Sequence, residues 1–404
     1  MIAYYFPPLG GAGVQRSAKF AKYLARQGWQ VKVISVFPPP FEPLDTSMEA
    51  EIDQKLIEVN RVQYQARFRQ FDKLPGGWRL RALFDNWFQF PDRMQGWFAP
   101  ALAAAESICQ ENPGIPILST SAPYTAHLIA RELKRQFGSL WIADFRDEWS
   151  QNPYFIAATR YHFRRHQKAE KAVLTEADLI ISVTENITQG LQKIAPATKA
   201  DFQTIPNGFD PEDFASLRSV PSKYWTLTHI GTLNQAREQL LRPVIAALKD
   251  LTTRGIIPPQ ELKLQLIGVG KGYNSEFAGL DWLEVQGYLP HSEAIMAMNG
   301  CNIAILAESN PAAFTGKIFE YLALKKPILG LIHPESPAAQ LIREAQAGWV
   351  VGLHSDLGLA EILTQSYLDW KNSSTHFKPK PEVIARYNRE QQATELAEII
   401  TRHR

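Results

Sequence analysis

The segment Phe314–Ile332 constrains the fold most, because its residue pattern predicts a turn, a helix and a strand in immediate succession. The apolar run Asn302–Ala307 before it predicts a buried parallel strand. Thr315 is a candidate helix cap, Gly316 lets a ligand approach the backbone, and Pro327 ends the helix and opens a second apolar strand. Units of this kind build open parallel sheets, which bind ligands beyond the carboxyl ends of their strands.

Two charged residues, Lys317 and Glu320, lie three positions apart on the polar edge of the predicted helix. A cation beside a helix N-terminus suits a phosphate, and a carboxylate one turn later suits a sugar diol, whose two hydroxyls it accepts. The alternative is a solvated helical pair, which contributes little to stability. The spacing alone leaves both interpretations open.

This segment resembles the donor-binding segment of a known enzyme family. Lys317-Ile-Phe-Glu-Tyr-Leu-Ala followed by Lys326-Pro-Ile-Leu is similar to retaining glycosyltransferases of the GT-B fold, family 4 type. The resemblance implies that Lys317 contacts the donor phosphate and that Glu320 holds the nucleotide ribose. Thr315 and Gly316, at the start of the same helix, are further candidate donor-binding residues. The family often carries a further Glu, eight residues before the ribose ligand, that contacts the donor sugar. Ala312 stands there, so recognition of the donor sugar must differ or come from the backbone.

The N-terminal region carries a second, independent resemblance to the family. A short predicted strand, Ile2–Phe6, leads into Pro-Pro-Leu-Gly10-Gly11-Ala-Gly and a predicted helix, Val14–Gln27. Backbone N–H groups of such a glycine loop can approach a diphosphate, which makes Gly10 and Gly11 candidate donor-binding residues. The alternative is that the loop is a purely structural turn, since glycine turns of this kind are common. It is not a dinucleotide fingerprint, because Arg16 occupies the position of the third glycine.

The second half of the chain contributes further donor-site candidates. A strand predicted to end at Gly231 is followed by a helix carrying Arg237. The resemblance implies that Arg237 is a second ligand of the diphosphate. From the residues alone, an arginine on the helix surface is an equal alternative. By resemblance Tyr288 and Leu289 belong to the loop near the nucleotide base.

Three candidate catalytic residues lie in the first half. The strand Leu140–Phe145 ends in charged residues, and Asp-Phe-Arg146-Asp147-Glu-Trp resembles the family's Asp-x-Arg-Asp-x-Trp element. Arg146 would stabilise the leaving phosphate and Asp147 would orient an acceptor hydroxyl; the alternative is that both pair across the sheet. His127 is the third candidate, although a single histidine on an apolar helix is more often a core residue.

Between Arg61 and Pro100, basic and aromatic residues interleave, and a basic helix follows near Arg160. One interpretation is a helical insertion whose aromatics pack on the first domain, followed by a solvated helix face. The other is a surface for an amphiphilic acceptor or for anionic lipid headgroups, since Trp with Arg or Lys suits such interfaces.

Composition excludes several classes of protein. The 404 residues are 45% hydrophobic with a net charge of +2, which indicates a globular chain of two-domain length and argues against a general nucleic-acid binder. The cysteines, Cys109 and Cys301, lie in separate halves, so neither a disulfide framework nor a cysteine-based metal site is implied. Without a signal peptide or a long apolar run, we expect a cytoplasmic protein, with association at the cytoplasmic membrane face as the open alternative. Because the chain lacks an Asp-x-Asp motif, we expect no metal, and no cofactor other than the nucleotide sugar.

Together these features predict an α/β protein of GT-B fold, with two Rossmann-like domains facing each other across a cleft. We expect an acceptor-side domain at 1–215, a nucleotide-sugar-binding domain at 216–380, and a helix over 381–404 that crosses back to the first domain. The predicted reaction moves a sugar from a UDP- or GDP-sugar to a hydroxyl of a glycan or lipid-linked acceptor in polysaccharide or cell-envelope glycan synthesis. Retention of configuration is implied by resemblance. The alternatives are a nucleotide-sugar epimerase of the same fold and a non-catalytic scaffold, which Ala312 favours.

Overall fold

The computed structural model describes residues 1–37, 44–65, 87–152, 155–218, 222–233, 235–269, 277, 279–310, 314–353, 358–374 and 377–404. The chain forms two compact units. Unit 1 comprises 1–207 together with 390–404, and unit 2 comprises 208–389. Ala312 lies outside the described residues, and so do residues 66–86, which hold many of the basic and aromatic residues of the predicted insertion or surface.

Unit 1 is built on parallel strands. They are β1 Val31–Val36, β2 Ile57–Val62, β3 Ile117–Ser121, β4 Trp141–Phe145, β5 Leu179–Ser182 and β6 Asp201–Thr204. β1 pairs with β2, and β3 to β6 pair in sequence order. Strands β3, β4 and β5 are buried along their whole length, as expected for a parallel sheet covered on both faces.

Ile2 joins these two sets of strands, because it bridges Ile34 of β1 on one side and Ser119 of β3 on the other. The predicted strand Ile2–Phe6 is wrong beyond this point. The Tyr4 carbonyl accepts a hydrogen bond from the Ser35 hydroxyl (2.9 Å) instead of a backbone N–H. The chain then turns away toward the glycine loop.

Helices flank the sheet of unit 1. They are α1 Ala12–Arg26, α2 Phe98–Glu111, α3 Thr125–Phe137, α4 Arg160–Glu176 and α5 Glu185–Ile194, with short 3₁₀ helices at Thr46–Glu51 and Arg93–Trp97. Gly11 precedes α1 with a φ of +96°, a backbone conformation that favours glycine. Gly138 ends α3 in the left-handed conformation.

Unit 2 has a parallel sheet of order β12-β11-β10-β7-β8-β9. The strands are β7 Trp225–Leu233, β8 Leu262–Val269, β9 Leu283–Gln286, β10 Ile303–Glu308, β11 Ile328–Ile332 and β12 Gly348–Val351. The helices are α6 Glu212–Ala215, α7 Gln235–Thr253, α8 His291–Gly300, α9 Lys317–Ala323, α10 Pro337–Glu344, α11 Leu359–Lys371 and α12 Pro381–Ala385, with a 3₁₀ helix at Pro259–Glu261. Separate apolar clusters cover the two faces of the sheet. The strand order changes direction at β7, because β8 and β9 lie on one side of it and β10, β11 and β12 lie on the other. Doubly wound sheets bind ligands at such a point.

The last predicted helix, Pro381–Arg402, is two helices: α12 and α13 Arg389–His403. The break occurs because Phe209 pairs with this part of the chain. Its N–H donates to the Tyr387 carbonyl (2.9 Å), and its carbonyl accepts from the Arg389 N–H (2.9 Å). α13 then adds apolar side chains to the core of unit 1, namely Ala393, Leu396, Ala397, Ile399 and Ile400.

Of the helices in the described part of the chain, none combines the length and apolar character needed to span a bilayer.

Candidate functional site

The predicted donor residues of unit 2 gather at the carboxyl ends of β7, β8 and β10. Gly231 lies near the end of β7 with a φ of +146°, and a Cβ at this position would overlap the Lys317 ammonium. A Cβ on Gly268, at the end of β8, would lie 2.6 Å from the Gly231 carbonyl oxygen. Gly231 therefore leaves room for Lys317 to lie directly against the backbone of β7, and Gly268 lets β8 approach Gly231 closely.

Lys317 makes no hydrogen bond or ion pair with any other residue that the structure describes. Burial lowers its pKa to about 8; Arg237 acts in the same direction, and Glu320 and Glu308 oppose the shift. A partly buried ammonium without a partner is electrostatically costly. An anion bound beside it would remove that cost.

Arg237 lies close to Lys317 and Glu308. Its guanidinium donates to the Glu308 carboxylate (2.9 Å) at the end of β10 and to the Thr232 carbonyl (2.8 Å) near the end of β7. Glu308 also accepts a hydrogen bond from the Asn310 N–H (3.0 Å). Arg237 is thus anchored in a defined position, with its charge partly balanced by a carboxylate.

Thr315 and Gly316 lie immediately before α9, but the predicted cap is wrong. Gly316 is the N-cap residue, and no side chain caps the helix. The Thr315 carbonyl, rather than its hydroxyl, accepts from the Ile318 N–H (3.4 Å). The Thr315 hydroxyl is buried and has no hydrogen-bond partner among the described residues.

Glu320 is almost fully buried and pairs with a residue that the sequence did not single out. The Nε2 atom of His291 lies 3.0 Å from Oε1 of Glu320. His291 begins α8, directly after the loop that carries Tyr288 and Leu289. Tyr288 is exposed, whereas Leu289 packs on the core. The predicted ribose ligand and the predicted base loop are therefore linked through one imidazole.

His229 is a second histidine that the sequence analysis missed. It is buried in β7, where its Nδ1 atom contacts the Ile305 carbonyl (3.2 Å) and burial lowers its pKa to about 3. Its Nε2 atom has no partner among the described residues and lies 3.9 Å from the place where a Gly231 Cβ would be. A titratable residue in the middle of a predicted strand was the signal that could have revealed it.

In unit 1, Arg146 follows β4 and is tied to the protein backbone. Its three guanidinium nitrogens donate to the carbonyls of Ser121, Gly13 and Ala122. Burial lowers its pKa, against the opposing effect of Asp144 and Asp147. Arg146 thus holds the first turn of α1 to the loop after β3. Its catalytic role stays a prediction.

Asp144, at the end of β4, forms a buried ion pair with Arg16 of α1 (2.8 Å). Burial opposes ionisation of Asp144, but the charge and hydrogen bonds of Arg16, with a bond from Thr120 (2.8 Å), outweigh it and lower the pKa. Arg16 also donates to the Pro206 carbonyl (2.9 Å). No local pattern in the sequence indicates a role for Arg16, because its partner lies far away in the chain.

Asp147 is exposed, and Gly10 and Gly11 lie just before α1. Protein atoms around the Asp147 carboxyl raise its pKa by desolvation, and Arg146 opposes this shift. An accessible carboxylate of this kind can accept a proton or a hydroxyl hydrogen bond. The acceptor role of Asp147 and the donor roles of the two glycines stay predictions.

His127 is fully buried in α3. Its Nδ1 atom lies 2.8 Å from the Ser119 hydroxyl, which also accepts from the Trp141 indole N–H (2.8 Å). Burial lowers the pKa of His127 to about 3, so the ring is neutral. These surroundings are those of a core histidine, and its catalytic role stays a prediction.

Comparison with known proteins decides the family. The profile of Glycosyltransferase Family 4 matches residues 11–213, about half of the chain. The chain belongs to glycosyltransferase family 4. The matched region begins at Gly11 within the glycine loop and includes the buried Arg16–Asp144 pair and the segment around Arg146. The resemblance noted from the sequence is therefore confirmed.

Solved structures confirm the GT-B fold of this family 4 chain. Sucrose-phosphate synthase (tll1590) from Thermosynechococcus elongatus is 16% identical, with a TM-score of 0.64, over 97% of this chain and 93% of that one. HepE (Alr3699) from Anabaena, in complex with UDP-glucose, is 15% identical, with a TM-score of 0.64, over 99% and 98%. A glycosyltransferase from Rickettsia africae is 17% identical, with a TM-score of 0.63, over 98% and 97%. At these identities the likeness concerns the fold alone. No curated protein matches the family 4 chain significantly in sequence.

Proposed function

We propose that this family 4 glycosyltransferase transfers a sugar from a nucleotide diphosphate sugar to an acceptor hydroxyl, with its donor site at the carboxyl edge of the unit 2 sheet. The observation that carries the proposal is the Lys317 ammonium, which lies against Gly231 without a partner among the described residues. A diphosphate would supply the missing counter-charge. HepE, a structure of similar fold, has been solved with UDP and with UDP and glucose, which makes UDP the first nucleotide to test; GDP is the alternative.

Lys317 and Arg237 would supply the positive charge that stabilises the leaving diphosphate. Arg237 already bonds Glu308, so phosphate binding would share or replace that contact. Two cations provide electrostatic stabilisation without a metal ion, and we propose a metal-independent reaction. We further propose retention of configuration by front-face attack, with the leaving phosphate taking the acceptor proton.

The acceptor side would be provided by unit 1. Asp147 is the exposed carboxylate that we propose orients the acceptor hydroxyl. Arg146 would act by holding the surrounding loops, since its nitrogens donate to backbone carbonyls. We propose a glycan or lipid-linked acceptor in polysaccharide or cell-envelope synthesis.

The donor site is tested by calorimetric titration of UDP and GDP into the full chain, with EDTA present. We compare the wild type with Glu320→Ala and with Glu293→Gln, which changes an exposed residue of α8. We expect micromolar binding of one nucleotide, about tenfold or more weaker in Glu320→Ala and unchanged in Glu293→Gln.

Absence of binding by the folded wild type would overturn the donor site. Binding without donor hydrolysis or sugar transfer would favour a non-catalytic scaffold. Interconversion of sugars without transfer would favour an epimerase.

We also propose that unit 1 contacts the cytoplasmic membrane face. Five large apolar side chains are exposed on or near the start of α4, among them Ile156 (91%) and Tyr161 (71%), together with Trp87, Phe88 and Phe163. Exposed cations accompany them on α4, namely Arg160, Arg164, Arg165 and Lys168. The Trp87 carbonyl bonds His162 of α4 (2.9 Å), which fixes the aromatic residues beside the basic helix. Aromatic and basic side chains together suit an anionic lipid interface.

Co-sedimentation with vesicles tests this surface. We expect the chain to bind vesicles that contain phosphatidylglycerol, more weakly at high salt, and not vesicles of phosphatidylcholine alone. Arg160→Gln with Arg164→Gln should weaken binding severalfold, whereas Lys249→Gln with Arg254→Gln, exposed cations of unit 2, should not. Equal binding to both vesicle types, or none, would contradict the proposal.

A further inference from the structure

The contact between His291 and Glu320 joins two segments that are separated in the chain. Nε2 of His291 and Oε1 of Glu320 are 3.0 Å apart, and the two side chains are 13% and 7% exposed. An ionised carboxylate only accepts hydrogen bonds, so Nε2 carries the proton in this pair. A hydrogen bond to a charged group that is shielded from water is among the stronger ones in proteins.

The backbone around His291 is well placed to fix the imidazole. Pro290 is the N-cap residue of α8, with a φ of −53° that its ring restricts. Leu289 packs on the apolar cluster beneath the sheet edge. His291 therefore projects from a position that is held on one side by the core and on the other by the helix it begins.

Glu320 needs such support, because a glutamate has three side-chain torsions and several rotamers of similar energy. Its neighbours in α9, Phe319 and Tyr321, are fully buried and fix the helix, but they do not orient the carboxylate. A hydrogen bond from His291 to one carboxylate oxygen selects one orientation of the whole group. A carboxylate fixed in this way loses less entropy when it binds a ligand.

We propose that His291 is a positioning residue, which holds the Glu320 carboxylate in the orientation that accepts hydrogen bonds from the ribose hydroxyls of the donor nucleotide. This inference rests on the proposed function. His291 should affect how strongly the protein prefers a ribose over a ribose that lacks its 2′- and 3′-hydroxyls. It should not affect diphosphate binding by Lys317.

The test measures calorimetric affinities for UDP and for its 2′,3′-dideoxy analogue; GDP and its dideoxy analogue are used if the chain binds guanine. The variants are His291→Ala, His291→Gln and Glu320→Ala, with Glu293→Gln as the control on α8. Thermal unfolding confirms that each variant is folded. His291→Gln is included because the amide nitrogen of glutamine can take the place of Nε2 as a donor.

We expect the wild type and Glu293→Gln to prefer the ribonucleotide by about tenfold or more. In His291→Ala this preference should fall at least about threefold, toward that of Glu320→Ala, with affinity for the dideoxy analogue unchanged. His291→Gln should restore most of the preference.

Four results would count against the inference. His291→Ala could keep the wild-type preference while Glu320→Ala loses it, or both histidine variants could weaken the two nucleotides equally, which would indicate a purely structural role. A wild type that binds UDP without preferring the ribose would overturn the ribose contact while the nucleotide site stands. A wild type that binds neither UDP nor GDP would overturn the proposed function itself.

Discussion

Replacing Gly231 by alanine should disable Lys317 without altering Lys317 itself. The new methyl group would overlap the Lys317 ammonium, so the lysine would have to leave its place against β7. Alanine would also be strained at a φ of +146°. The substitution therefore removes the proposed phosphate ligand from its position and lowers the free energy of unfolding.

The size of each effect follows from the contact that is lost. A hydrogen bond to a charged group contributes about 1.5–3 kcal/mol, so UDP affinity should fall about 10- to 150-fold. The backbone strain should cost about 1–3 kcal/mol of unfolding free energy. The two effects are measured separately, by calorimetry and by urea unfolding.

The control is Gly255→Ala, because Gly255 also has a positive φ (+70°) but a Cβ there would meet no atom within 4 Å. It should lower stability without changing UDP affinity. The double variant Gly231→Ala with Lys317→Ala should bind UDP no more weakly than Lys317→Ala alone, since both changes remove one contact. The placement of Lys317 as a phosphate ligand would be refuted if the losses of UDP affinity in the two single variants added in full in the double variant. It would also be refuted if Gly231→Ala bound UDP with wild-type affinity.

Two further predictions concern charge. UDP affinity should decrease as the pH rises above about 8, because the pKa of Lys317 is about 8. Above that pH the lysine is neutral before binding and must take up a proton to bind the diphosphate. Calorimetry from about pH 7 to about pH 9.5 should show this decrease in affinity in the wild type and not in Lys317→Ala. Arg16→Met should lower the free energy of unfolding by about 3–5 kcal/mol, because it leaves the Asp144 carboxylate buried without its partner. Urea unfolding should show that adding Asp144→Leu recovers part of the loss, and a loss below about 1 kcal/mol in the single variant would indicate that the pair is not needed for stability.

Local patterns predicted many elements because the relevant information was adjacent in the chain. The helix predicted over Val14–Gln27 is observed over Ala12–Arg26, because the glycine loop before it marks its start. The helix Lys317–Ala323 was predicted between Thr315 and Pro327, although its cap residue was wrong. The GT-B fold was confirmed by comparison with solved structures.

Features that depend on distant partners were not predicted. The Arg16–Asp144 pair joins residues 128 positions apart, and no local pattern marks Arg16 as buried. The break between α12 and α13 depends on Phe209, far earlier in the chain. The His291–Glu320 contact requires two elements to meet in space. Sequence periodicity indicates which face of an element is apolar, but not which polar group it will meet.

The position of α13 has a consequence for how the protein is made. The core of unit 1 includes side chains from the last helix, whereas unit 2 is one continuous segment whose two ends meet at Phe209 and Tyr387. During synthesis, the whole of 208–389 leaves the ribosome before the apolar face of α13 does. We therefore expect unit 2 to complete folding first, although most of unit 1 precedes it in the sequence, and nascent unit 1 to expose an uncovered apolar surface to chaperones and proteases until α13 has emerged.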